Sequence, residues 1–290
     1  MSADAVPASA PPTPSTATSA ARAAQIPPLA REQLATMLGT GFLFQACASG
    51  RFSFAAAAWL CLLPLAVLVR AGRLPVALVG AFGAVFFGRL VGWVGVVDDA
   101  LVGAASAAAL TVVALLAYRH VMRELPRAGS FALPLAVVVV EGVATRVTGL
   151  SLFPLSTTQA ADVPLWRFVD VLTPLGVSFC VAWAQGAMAG WGESWIAEDP
   201  HDQDTRERGV RLGAAASFWV VFVVGHVGGL LRAPPRATAA MTPSTMQDAI
   251  VAAAAAVLGA MLVLATVARA TRKSSSAATP SAEAGADSAG

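Results

Sequence analysis

Two ionisable side chains stand inside stretches that otherwise read as hydrocarbon: Glu141, which ends the four valines of VVVVEGVATR, and Arg89, within GAFGAVFFGRLVGWVGVV. An acidic residue at the bilayer centre costs about 2.5 to 3.5 kcal/mol, and four valines return about 1 to 2.4 kcal/mol of it. The segment therefore inserts, but its carboxylate must face the bundle interior, either protonated or paired. Three arrangements satisfy that demand. Glu141 pairs with Arg89; or it is protonated and hydrogen-bonds a neighbouring backbone group or Thr145; or it works as a carboxylate that binds a lipid head group or relays protons. Other chemistry has little to build on. His120, His201 and His226 are far apart, with no second ligand at metal spacing, so no metal site is expected. The cluster EDPHDQDTRER at 198–208 reads as a solvated charged turn. A cysteine nucleophile needs a base or cation beside it, yet Cys47, Cys61 and Cys180 all lie in apolar segments, and the only lysine is Lys273. No glycine-flanked serine nucleophile or phosphate loop is present, and no cofactor is implied.

The elements that carry these residues follow from composition. Of 290 residues, 57% are hydrophobic and 12% charged, which excludes an ordinary soluble domain, and a net charge of +2 with scattered arginines gives no nucleic-acid stripe. A span needs roughly 20 apolar residues. The chain offers eight such segments, near 33–49, 53–69, 74–96, 100–118, 130–146, 168–190, 211–231 and 249–268, so the expected fold is all-α and polytopic. Thirteen of the nineteen basic residues fall in the tails and in the loops after the second, fourth and sixth segments. That asymmetry places both termini in the cytoplasm. Residues 1–30 and 271–290, rich in Ala, Pro, Ser and Thr, read as disordered tails around a transmembrane domain at 31–270.

Within that frame Glu141 lies ten residues into the fifth span, about 15 Å deep, and Arg89 fifteen residues into the third, which runs in the same direction, about 22 Å from the same cytoplasmic face. An extended arginine bridges the difference if the helices meet. Gly80, Ala84, Gly88 and Gly92 recur every fourth residue and form a smooth ridge suited to close helix packing. Trp93, followed by Asp98 and Asp99, reads as an interfacial anchor. The connection TGLSLFPLSTTQAADVPLWRF is too apolar for a solvated loop and is expected along the outer membrane surface.

That connection and its flanking helices resemble the membrane part of apolipoprotein N-acyltransferases. Glu141 falls on the family's glutamate, Gly149 on the first glycine of its loop, and Gln159 on the loop's closing glutamine. Gly176, Ser178 and Phe179 fall on its Gly-Leu-Ser-Phe helix motif, with Gln185 in place of an asparagine. AAAAWLCLLPLAVLVR is similar to the second helix of the family with its Trp and Pro, and Trp93 matches the tryptophan of the third. The resemblance covers roughly residues 34–231, and 249–273 suit the final helix. There are departures: Leu150, Ser151 and Leu152 stand where Phe-Pro-Trp is expected, Pro154 is displaced, the arginine three residues after the glutamate is replaced by Ala144 with Arg146 two later, and Arg89 has no counterpart.

The resemblance implies a nitrilase-like domain between the last two helices, carrying a Glu-Lys-Cys triad that moves an acyl chain from phospholipid to a lipoprotein amine. Here that interval is RAPPRATAAMTPSTMQD, far too short to fold one. The expectation is therefore a module of the bacterial inner (plasma) membrane that binds phospholipid or a lipidated peptide without catalysing alone. It works with a separate nitrilase-like subunit or is a decayed relative. Glu141, Arg89, Trp93, Arg146, Gly149, Pro154 and Gln159 are the candidate lipid- or partner-binding residues. A small secondary transporter and a purely structural partner are the alternatives.

Overall fold

The structure, a computed structural model, describes residues 31–50, 52, 54–96, 98–125, 129–148, 169–196, 216, 219, 220, 223, 227 and 244–277. Among these residues the regular structure is all helical, with no strand. The elements are α1 (Arg31–Cys47), α2 (Ala55–Ala58), α3 (Leu63–Ala71), α4 (Leu74–Trp93), α5 (Ala100–Glu124), a 3-10 turn at Gly129–Phe131, α6 (Ala132–Thr148), α7 (Val169–Ile196) and α8 (Ser244–Ala277). Four stretches of the described residues are long and apolar enough to cross a bilayer: Leu74–Trp93, Ala100–Glu124, Gly129–Val147 and Met246–Arg272.

The expected second span, 53–69, corresponds to an apolar helical stretch, Ala56–Ala71, whose regular α-helical hydrogen bonding is interrupted. It breaks between α2 and α3, where Trp59–Leu62 form turns. Pro64 accounts for the restart: lacking an N–H, it suits a first helical turn and not an interior. The expected sixth span also differs. Thr173 (φ 62°, ψ 164°) lies outside helical space and kinks α7 between a short first stretch from Val169 and the longer helix that resumes at Pro174. The hydroxyl of Thr173 accepts from the Gly176 N–H at 3.4 Å, the geometry of a capping residue. The expected seventh span falls almost entirely outside the described residues, and the last helix continues to Ala277.

The short α3 is the shaft of the bundle. Every residue from Pro64 to Val69 is buried, the signature of a helix surrounded on all sides. It packs on α1, α4, α5 and α7, while α8 lies against α5 and α6. The glycine ridge of α4 works as its spacing suggests, and its partner is α1. A Cβ on Gly80 would meet Leu38 at 2.7 Å, one on Gly88 would meet Gln45 and the Phe42 carbonyl, and one on Gly92 would meet Ser49.

Candidate functional site

A broken helix inside an apolar bundle leaves backbone groups that hydrocarbon cannot satisfy, so protein must do it. Two glutamines supply the bonds. Gln185, from α7, accepts with its Oε1 from the Leu62 and Leu63 N–H groups, and donates through Nε2 to the carbonyls of Ala58 (2.9 Å) and Val181 (3.4 Å). Gln45, from α1, donates through Nε2 to the Cys61 carbonyl at 3.0 Å. Both side chains are fully buried. The break is thus held from two sides by neutral amides that use both ends of the group.

Arg89 joins this network. It is 1% exposed, and its Nε–H donates to Gln45 Oε1 at 2.9 Å. Its guanidinium carbon stands 5.6 Å from the Trp93 ring centroid, one turn further along α4. Glu141 on α6 is 3% exposed and lies within Coulomb range of Arg89, as does Cys61. The chain Arg89–Gln45–Cys61 carbonyl therefore links α4 and α1 to the broken segment. Thr145, weighed above as a partner for the carboxyl group, sends its hydroxyl to the Glu141 backbone carbonyl instead (2.8 Å). Among the described residues, the buried donors Arg89 Nη1 and the Ser178 hydroxyl have no hydrogen-bond acceptor.

The other expected positions divide. Trp93 is buried at 7% exposure and does not act as a lipid-facing anchor. Gly103 of α5 opens the space for its ring: a Cβ there would come within 3.0 Å of it. Arg146 is directed away from the buried cluster and forms a two-pronged ion pair with Asp248 of α8, with Nε to Oδ1 at 2.8 Å and Nη2 to Oδ2. Both partners are well exposed. Gly149, Pro154 and Gln159 lie outside the described residues, as do His201 and His226. Gln45 was not among the candidates, and Gln185 appeared only as a replacement for an asparagine. The available signal was an uncharged amide within an apolar run, GFLFQAC and FCVAWAQGAMA.

Cys61 lies fully buried in the break and donates its thiol to the Ala58 carbonyl at 3.4 Å. Among the described residues, no three His, Cys, Asp or Glu side chains gather as a metal site. On the outer flank, between α1 and α4, Leu38, Phe42, Gly80, Gly83, Ala84 and Phe87 line an open apolar groove of about 310 Å3. A Cβ on Gly83 would meet nothing within 4 Å, so this glycine faces open space.

Residues 40–187 match the family model of the apolipoprotein N-acyltransferase N-terminal domain. No curated protein matches the chain, and no solved structure does.

Proposed function

Because the chain belongs to the apolipoprotein N-acyltransferase N-terminal domain family, we propose that it is an integral membrane module that binds phospholipid or a lipidated peptide among its helices and does not transfer acyl groups alone. The observation that carries this reading is the set of buried polar side chains Arg89, Gln45 and Gln185 around a broken helix, with a buried Glu141 in the same bundle. Such polar investment inside a membrane domain is costly and marks ligand paths more often than scaffolding. The apolar groove on α1 and α4 supports the same reading, since its only fitting occupant in a bilayer is hydrocarbon.

The reading without catalysis rests on the residue inventory. The chain has one lysine, and seventeen residues lie between 231 and 249, where the family resemblance calls for a nitrilase-like domain. Catalysis then belongs to a separate nitrilase-like subunit that uses this module as its membrane cradle. In this reading eight spans cross the inner membrane, with both termini cytoplasmic. Purification of the full chain in mild detergent followed by mass spectrometry tests it. Bound phospholipid supports lipid binding, and a copurified nitrilase-like protein supports the two-subunit version. Acyl transfer to a diacylglyceryl-cysteine peptide by the purified chain alone would overturn it.

A second reading, a small secondary transporter, is favoured by one observation. Discontinuous helices beside buried charged groups form substrate sites in transporters, and α2–α3 with Arg89 and Glu141 has that form. Uptake into proteoliposomes that vanishes in Glu141→Gln would favour it over the cradle.

A further inference from the structure

The apolar groove on the outer flank of α1 and α4 runs toward two arginines, as the register of the helices shows. A Cβ on Gly80 would meet Leu38, one on Gly88 would meet Gln45 and one on Gly92 would meet Ser49, each at 2.7 Å. The partners in each pair differ by 42 or 43 in residue number, so α1 and α4 run parallel with a constant offset. Continued to the start of both helices, that offset sets Arg31, the first residue of α1, level with Arg73, which caps α4.

Both arginines belong to the stripes that line the groove. Leu38 and Phe42 stand seven and eleven residues beyond Arg31, and Gly80 and Ala84 stand seven and eleven beyond Arg73. At about 100° per residue each of these positions returns to within about 20° of the arginine on its own helix. Both arginines are exposed, and among the described residues neither forms an ion pair. Glu32, the acid in the first turn of α1, lies about 100° round the helix from Arg31 and off the stripe.

Depth fits one lipid leaflet. An arginine at the end of an apolar helix sends its guanidinium to the head-group layer. The groove lining begins seven residues past the arginines and ends fourteen past, at Phe87, about 10 to 21 Å along the helices. A head-group layer is about 6 Å deep and each leaflet holds about 15 Å of hydrocarbon, so the groove spans the acyl layer of a single leaflet. A second copy of the chain fits this flank poorly. Docked here about a two-fold axis normal to the membrane, it would bring four arginines to one level, which like-charge repulsion opposes.

We propose that the α1–α4 groove seats an acyl chain of an anionic diacyl phospholipid, with the charged head group held between Arg31 and Arg73. The proposal rests on the lipid-binding reading above and deepens it by naming the lipid class and its seat.

Two lipids with identical acyl chains test it. The full chain in mild detergent is titrated with phosphatidylglycerol and with phosphatidylcholine, and native mass spectrometry reads both the bound lipid and the oligomeric state. Two basic residues at a membrane surface correspond to about thirtyfold in affinity for a net negative head group. The expected result is therefore about thirtyfold tighter binding of phosphatidylglycerol, reduced to the level of phosphatidylcholine when Arg31→Gln and Arg73→Gln are combined. Gly83→Leu fills the groove from a position where an added Cβ meets nothing within 4 Å, and leucine favours the helix over glycine. It should weaken both lipids about tenfold, the equivalent of about two buried methylene groups. Equal affinity for the two lipids overturns the proposal while leaving lipid binding intact, as does a preference that survives the paired arginine substitutions or binding unchanged in Gly83→Leu. A dimer of the unsubstituted chain that Gly83→Leu dissolves gives the groove to a second copy and overturns it as well. Absence of binding by both lipids overturns the lipid-binding reading and this proposal with it.

Discussion

The two ends of α3 meet the same physical problem with different chemistry. At its C-terminal end the orphan carbonyls of Val69 and Gly72 accept from Arg119 Nη1, the latter at 3.2 Å. A cation there also complements the negative end of the helix dipole. Arg119 is 7% exposed, and its burial is explained by that cap. At the N-terminal end the freed N–H groups face the Gln185 amide oxygen, and the guanidinium nearby, Arg89, caps nothing. It reaches the break only through Gln45 and keeps a donor to spare. Two buried arginines in one bundle thus differ in kind. Arg119 completes a helix end, whereas the architecture around Arg89 is complete without its Nη1.

The strongest test of this contrast is at Gln185. Gln185→Leu removes the acceptor of the Leu62 N–H and the amide donor of the Ala58 carbonyl; the Leu63 N–H keeps the Leu60 carbonyl at 3.1 Å. The Ala58 carbonyl keeps only the weak Cys61 thiol donor, and stranding the buried Leu62 N–H should cost about 3 kcal/mol, read as a lowered denaturation midpoint of the detergent-solubilised chain. Arg119→Met comes next. It leaves the carbonyls of Val69 and Gly72 without their donor, with an expected loss of about 2 kcal/mol, and lipid binding per folded molecule should not change. A change in lipid preference on Arg119→Met would erase the distinction between the two arginines.

A smaller effect probes whether Arg89 and Glu141 act as one unit. Each single substitution, Arg89→Met and Glu141→Gln, alters a buried charge, and the double variant alters both. The cycle should show a coupling of about 1 kcal/mol, with the double variant less destabilised than the two singles added. Additive losses would mean that the two charges share the interior without sensing each other.

How far these features could be read from the chain depends on what each requires. The spans α4, α5, α6 and α8 are legible because long apolar runs determine them, and so is the glycine ridge, because its four-residue spacing demands a close neighbour. The inward placement of Glu141 and Arg89 is legible from the cost of exposing charge to lipid. The break at Trp59–Leu62 is not. A segment buried on every side has no periodicity to interrupt, and Pro64 alone does not say whether a helix bends or stops. The roles of Gln45 and Gln185 were hidden for a related reason: a neutral amide is tolerated in a membrane helix, and its partners are carbonyls and N–H groups of a break brought to it only by the tertiary fold. Trp93 shows the converse, since its preference for an interface yields to the space that Gly103 leaves on α5.

The smallest expected effect supplies the control for the whole comparison. Arg146 and Asp248 join α6 to α8 by a two-pronged ion pair, the geometry usually credited with the most stability, yet their side chains are 61% and 45% exposed. Exposed pairs contribute about 0 to 1 kcal/mol because water and salt screen the attraction and ordering two long side chains costs entropy. Arg146→Ala should therefore lower stability by less than about 1 kcal/mol, and the difference from the unsubstituted chain should shrink further as salt is raised. Arg119→Met removes only hydrogen bonds to neutral carbonyls, but that of Val69 is buried and that of Gly72 half-buried, and its larger loss should be insensitive to salt. If Arg146→Ala proved as costly as Arg119→Met under the same conditions, charge pairing and not burial would set the scale of these contacts. The buried network around Arg89 would then be a minor feature of the interior and no guide to a ligand.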